Sequence, residues 1–297
     1  MGTGLIRHRT PERAPLRSLR GAAWAGLLTG AVLGAVWAAP AAWMGVLLDR
    51  ASQGRVQALH ATGTLWNGQA TLALGGGPGS GVELSMPGRL TWTLRPVWGG
   101  AGGPGLQLTA HHPLLMAQAA QLNVHGSGAG WALQMGAAPG QGPLTVELPA
   151  AWLAGLGAPW NTLQPSGRLQ LRLERLHWRS PANAAAPLDL ALHIQMTEMA
   201  SRISTLPVLG DYELQLQGGP TVMARLSSRP GSALQLEGQG RWTPGGPMAF
   251  QGQAWALAGR EEALSNLLNI IGRRDGARSL MAFGPPGLLG PQPATTQ

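Results

Sequence analysis

The chain has 297 residues, a net charge of +8 and no cysteine, which excludes disulfides, thiolate metal centres and a cysteine nucleophile. Five Arg against one Glu put +4 in the first 20 residues, and 16 Arg against 12 acids put another +4 in residues 49–297. A positive charge so diluted, with no basic stripe interleaved with aromatics, argues against a nucleic-acid partner.

The leader carries Arg7, Arg9, Arg13, Arg17 and Arg20, and residues 1–20 are expected to lack regular structure. From Gly21 to Leu48 there follow 28 residues without a charge. A bilayer core needs about 20 predominantly apolar residues in a helix, so residues 21–48 are predicted to be a transmembrane anchor. The basic flank makes the N-terminus cytoplasmic and sends the rest of the chain across the membrane. The alternative is a signal peptide cut near Ala38-Ala39-Pro40-Ala41. However, the apolar run continues past Pro40 to Leu48, beyond the ~7–15 residues of a signal core. Trp37 and Trp43 then read as anchors at the far interface, and Pro40 as the end or kink of the helix.

Beyond the anchor the pattern has period two, the mark of half-buried strands. Leu188, Leu190, Leu192, Ile194 and Met196 alternate with polar residues, as do Leu90, Trp92 and Leu94 and, later, Tyr212, Leu214 and Leu216. Leu72 with Leu74, Leu106 with Leu108, Leu122 with Val124, Trp131 to Met135, Val222 to Leu226, and Leu234 with Leu236 repeat it. Leu169, Leu171 and Leu173 are out of phase with Leu176 and Trp178, which predicts a β-bulge near Glu174-Arg175. Gly/Pro clusters such as Gly75 to Gly79 and Gly99 to Gly105 separate these segments. The fold class is therefore mainly β: an N-terminal transmembrane helix, then an antiparallel, curved meander sheet or sandwich. Helix is expected at Pro149–Gly155, as a short turn, and at Glu261–Ile271. In the latter, Leu264, Leu267, Leu268 and Ile271 form an apolar stripe. Glu261 and Glu262 suit its positive end, Gly272 its C-cap, and Arg273 and Arg274 its negative end. The domains are thus a leader (1–20), an anchor (21–48), a β-rich domain (49–283) and a disordered Pro/Gly tail (284–297).

Charged residues make up only 11% of the chain, and between Arg95 and Arg168 the sole formal charge is Glu147. Two readings are open. One is a Gly/Gln/Asn/Thr-rich surface in a low-charge chain. The other is a surface that meets protein or lipid, where charge would cost desolvation. Chemistry is not visible. His8, His60, His177 and His193 are isolated, and His111-His112 with His125 form the one cluster; adjacent His on a strand face opposite ways. There is no nucleophile elbow, P-loop or dinucleotide fingerprint. No catalytic, cofactor-binding or metal-ligating residue is assigned, and no cofactor.

Several segments together carry a resemblance. They are Gly63-Thr64-Leu65-Trp66-Asn67-Gly68-Gln69-Ala70, Pro87-Gly88-Arg89-Leu90-Thr91-Trp92, Leu163-Gln164-Pro165-Ser166-Gly167-Arg168-Leu169, Ser201 to Ser204 leading into Leu209-Gly210-Asp211-Tyr212, and Glu262 to Gly272. In this order, behind an uncharged span, the chain resembles the type II secretion system protein N family over about residues 21–283. The resemblance implies a single-pass subunit of the bacterial inner membrane with a periplasmic β-rich domain. It implies partners among the other secretion subunits, and no catalytic residues to carry over. Two functions from different classes follow. The first is a non-catalytic scaffold offering low-charge surface and sheet edges to other subunits. The second is a lipid-handling module with an apolar β trough, told apart by how many inward Leu lack protein cover.

Overall fold

The computed structural model describes residues 16–75, 83–98, 103–127, 130–156, 160–181, 188–244 and 246–285. The first part of the expected leader and nearly all of the expected tail lie outside these. The chain forms two compact units, Met1–Ala39 and Pro40–Gln297.

The first unit contains helix α1 (Leu16–Trp37). Two expectations are corrected here. The leader is helical from Leu16 onward, and the uncharged run is not one continuous span. Proline lacks the N–H that a helix interior needs, and its ring blocks the carbonyl four residues back. Pro40 instead bridges Thr64, and a separate helix α2 (Ala42–Ala51) follows. The uncharged part of α1, Gly21–Trp37, rises about 25 Å at ~1.5 Å per residue, short of the ~30 Å hydrocarbon core. No helix among the described residues is long and apolar enough to cross a membrane.

The second unit holds sixteen strands among the described residues. The first eight are β1 (Val56–Gly63), β2 (Asn67–Gly75), β3 (Glu83–Ser85), β4 (Leu90–Val97), β5 (Gly105–His111), β6 (Ala120–Ser127), β7 (Gly130–Ala137) and β8 (Leu144–Pro149). After a 3-10 turn (Ala150–Leu156) and α3 (Trp160–Leu163) come β9 (Pro165–Pro181), β10 (Leu188–Ser201), β11 (Gly210–Gly219), β12 (Val222–Ser228), β13 (Leu234–Trp242) and β14 (Met248–Ala256). Helix α4 (Glu261–Ile271), β15 (Arg273–Asp275) and β16 (Arg278–Phe283) complete it. All pair antiparallel in one sheet, in the order β1-β2-β4-β5-β6-β7-β9-β10-β11-β12-β13-β14-β16-β15, with β3 beside β2 and β8 beside β9. The sandwich alternative is thereby corrected: there is one sheet, not two stacked ones.

The bulge is where the broken phase requires it. Leu190 faces Leu176 and Ala191 faces Arg175, but Leu192 faces Leu173, so Glu174 is the extra residue. It falls where β9 changes partner, from β8 at Leu144–Pro149 to β7 at Gly130–Met135. Helix α4 spans the expected residues and buries Leu264, Leu267 and Leu268. Gly272 does cap it, in an extended rather than left-handed conformation. A side chain there would meet the Leu280 carbonyl oxygen at 2.5 Å. Arg273 and Arg274 do not serve the helix end as expected; they begin β15. The turn after β8 reaches back to β2, where a side chain on Gly155 would sit 3.0 Å from Leu74 Cβ. Five strand spacings of ~4.8 Å would separate β2 from β9 in a flat sheet, so the sheet curls.

Candidate functional site

Register assigns most large apolar residues of the alternating strands to one face, Met223, Trp255 and Leu280 being on the other. Trp92 faces Ala110, which faces Ala120, which faces Ala137. Leu94, Leu108, Leu122, Met135, Leu176 and Leu190 make the next row. Leu192, Leu216, Ala224, Gly240 and Phe250 continue the first row toward the C-terminus. The opposite face carries Thr91, Gln107, Asn123, His177, Arg225 and their neighbours, so one side of the sheet is apolar and the other polar.

Three patches of the apolar face are covered. Near β1 and β2, Ala41 and Met44 pack on Ala58, Ala70 and Trp92. In the middle, Met116, Leu144 and Val146 pack with Leu173, Leu188 and Leu190, while Ala150 and Leu153 pack with Leu169 and Tyr212. At the C-terminal end α4 lies on Leu234 and Ala254. Between the patches Leu122, Val124, Leu133 and Leu214 are half-buried. A side chain on a single sheet can bury its flanks against neighbours but not its tip, which is what half-burial records. Leu106, Trp131, Trp242, Met248 and Phe283 are exposed.

Special contacts hold the face in shape. The Trp92 indole N–H donates to the Leu65 carbonyl at 3.0 Å, and a side chain on Gly68 would clash with the Trp92 ring. Phe250 stacks on Phe283 at 5.2 Å between ring centres and occupies the space over Gly238. The buried Tyr212 hydroxyl donates to the Leu234 carbonyl at 3.0 Å, and burial, helped by Asp211, pushes its pKa well above the usual phenol range.

The polar face holds the titratable groups. Arg229 Nε donates to Glu213 at 2.6 Å, and this hydrogen bond holds the Glu213 carboxyl below the usual carboxylate range. The three clustered His are not brought together. His125 lies opposite Gly105 and His111 is at the far end of the same strand, roughly 20 Å along it at ~3.3 Å per residue. His112 is buried below Gly88, and its Nδ1 accepts from the Leu114 N–H at 3.3 Å. Among the described residues no group of three ligating side chains could hold a metal ion.

Burial, helped by the charge of His111, lowers the His112 pKa. The unfolded chain, titrating near the ordinary ~6.5, therefore takes up a proton before the folded one does. Stability is unaffected above that value and falls as pH drops below it. The urea midpoint is expected to fall between pH 7.5 and 5.5 for the native chain, and to fall less for His112→Gln. Glu213 does not confound this window, because its contribution is lost only below the ordinary carboxylate range near ~4.3.

Trp92 is fully buried and Trp178 packs in the central patch, while Trp242 is 37% exposed. Gly63 and Gly68 bracket the β1–β2 turn, with Thr64 Oγ1 accepting from the Asn67 N–H at 3.1 Å. What sequence reasoning missed is where the exposed aromatics lie. Trp98, Trp131 and Trp242 come from three distant segments, and only antiparallel register brings them to one end of the sheet.

The comparisons with known proteins bear on this arrangement directly. The family model for type II secretion system protein N matches residues 54–281, from just before β1 into β16. No curated protein and no solved structure matches the chain. With the match covering the whole sheet but its last residues, the chain belongs to the type II secretion system protein N family.

Proposed function

We propose that this chain is a non-catalytic accessory subunit of the type II secretion system, held at the bacterial inner membrane and offering its periplasmic β unit to other subunits. The observation that carries this reading, beyond the family, is the open single sheet. Its first strand, Val56–Gly63, has no formal charge and is paired along one side, whereas the other end of the sheet finishes in the short, charged Arg273–Asp275. Uncharged edge strands accept strands from other chains, and charged short ones resist them. The membrane half of the proposal rests on α1. Its Trp24, Leu27, Leu28, Val32 and Leu33 are 60–66% exposed, and a helix apolar all round needs an apolar surround. The leader Arg residues favour a cytoplasmic N-terminus.

A second reading, a lipid-handling trough, is favoured by one observation: no second sheet covers the apolar face among the described residues, so acyl chains could complete it. Delipidated full-length protein that binds no phospholipid would remove that reading.

The experiment for the first reading is deletion of the protein followed by assay of secreted enzymes, with complementation by the full chain and by a chain lacking residues 1–39. Secretion is expected to be lost, restored by the full chain and restored poorly without α1. Unchanged secretion in the deletion strain overturns the proposal.

A further inference from the structure

We propose that the strand ends bearing Trp98, Trp131 and Trp242 form a second membrane contact, seated on a phospholipid surface. This end of the sheet is where β4, β6, β9, β11 and β13 finish and where β5, β7, β10, β12 and β14 start. Trp98 follows β4 and is 81% exposed, and Trp131 starts β7 and is 62% exposed. Trp242 closes β13 opposite Met248, which opens β14. Leu106, exposed near the start of β5, lies two residues from Gly126 across the β5–β6 register, beside Trp131. From β4 to β13 the sheet crosses eight strand spacings, on the order of 40 Å at ~4.8 Å each. That footprint suits an extended surface, not a small ligand.

The chemistry matches a bilayer interface. Tryptophan places an apolar ring below the headgroups and its N–H among them. Charge is sorted the same way. Of the acids toward this end, Asp189 meets Arg175 at 3.2 Å, while Glu174 and Glu237, farther along their strands, meet Arg172 at 4.0 Å and the Gln253 amide at 3.2 Å. Arg95 and Arg179 are positioned here by register and suit anionic headgroups. Glu147, Glu198, Asp211 and Glu213 lie in the other half of the strands. That half also exposes a tryptophan, Trp160, which serves as the comparison.

Chain connectivity decides between lipid and another protein as occupant. The β unit begins at Pro40, which bridges Thr64 at this same end, where the β1–β2 turn lies beside Leu94. Trp43, the second residue of α2, is exposed here too. Three residues before Pro40 ends α1, whose apolar side chains are uncovered. The apolar helix is thus joined to the β unit by a link of two residues at the tryptophan end, whatever apolar medium receives it. The contact holds whether α1 crosses that medium or lies in it.

The absence of cysteine allows single labels. Full-length Trp98→Cys, Trp131→Cys and Trp242→Cys, each carrying an environment-sensitive fluorophore, are reconstituted in bilayers of phosphatidylethanolamine and phosphatidylglycerol containing spin-labelled lipid. Val32→Cys reports on α1 and Trp160→Cys on the opposite end. The labels at 98, 131 and 242 are expected to shift to the blue and to be quenched several-fold more than the label at 160. Quenching at 32 with none at 98, 131 and 242 overturns this inference while leaving the tether of the proposed function intact. A blue shift at 98, 131 and 242 that appears in detergent without lipid and grows with protein concentration also overturns it, in favour of contact with a second copy.

Discussion

Trp92→Ala is expected to destabilise the β unit by about 3–5 kcal/mol, the range for deleting a buried aromatic from a core. The side chain is 3% exposed and joins three layers of the N-terminal end: Ala41 and Met44 around α2, Ala58 and Ala61 of β1, and Leu108 and Ala110 of β5. Two losses combine. The cavity has no easy route to collapse, because the ring rests directly on the backbone of Gly68, where even a methyl group would clash. The Leu65 carbonyl also loses its indole donor, and an orphaned buried acceptor costs ~1–3 kcal/mol unless water reaches it. Trp92→Phe separates the terms. It keeps most of the ring and removes the donor, so a loss of about 1–2 kcal/mol is expected. Urea unfolding followed by far-ultraviolet circular dichroism reads both, since the other tryptophans would blur a fluorescence signal. A Trp92→Ala loss below about 1 kcal/mol would mean that the N-terminal strands contribute little to the unit's cooperativity.

The strands with large side chains at every second position were legible in the sequence, because one buried face demands that alternation. The β10 pattern of Leu188 to Met196 and the bulge at Glu174 are the clearest cases. Strands were hidden where that signal is weak for a structural reason. In β1 a left-handed residue, His60 at φ 52°, shifts the register between Leu59 and Thr62 and interrupts the period. In β14 the inward positions include Gly252, where the Phe250 ring takes the volume a larger side chain would need, and Ala254, which packs under α4. The places of β3 and β8, each sharing an edge of a longer strand with another partner, follow from pairing over long separations, which no local pattern encodes. The break at Pro40 was legible as the end or kink of the helix, although the uncharged run on both sides of it was counted as one anchor. The candidate surface was the least legible part. Trp131 read only as the start of an alternating strand, no local pattern links it to Trp98 or Trp242, and their shared end exists only through the register of intervening strands. The polar face shows the converse. Arg229 and Glu213 are 16 residues apart in the chain, and adjacent antiparallel strands, not any motif, bring them into contact.

Leu264→Asp is expected to undock α4 and to give the largest change in surface character of any single substitution. Leu264 is wholly buried, with Leu267 and Leu268 beside it, against Leu209, Leu234 and Ala254. Truncation to Ala alone would cost ~2–5 kcal/mol, and a carboxylate adds the penalty of an unpaired buried charge. The last turn of α4 carries no basic residue, Arg273 and Arg274 belong to an exposed strand, and Arg260, four residues before Leu264, is exposed to solvent. The helix is 11 residues long, too short to persist alone in water, so undocking means unfolding it. The sheet beneath does not depend on α4 for its hydrogen bonds: β14 pairs β13 along its full length and β16 over Phe250–Trp255. Loss of the helix should therefore expose Leu234, Leu236, Ala254 and Met281 as a new apolar strip on an intact sheet. The expected result is a several-fold rise in binding of a hydrophobic dye and faster tryptic cleavage after Arg260, with strand circular dichroism retained. Ile270→Asp, on the exposed side of the same helix, should change stability by no more than about 0.5 kcal/mol. If Leu264→Asp instead abolished strand signal, α4 would be a keystone of the sheet and not a lid over one end of its apolar face, and the open face between the covered patches could not stand without it.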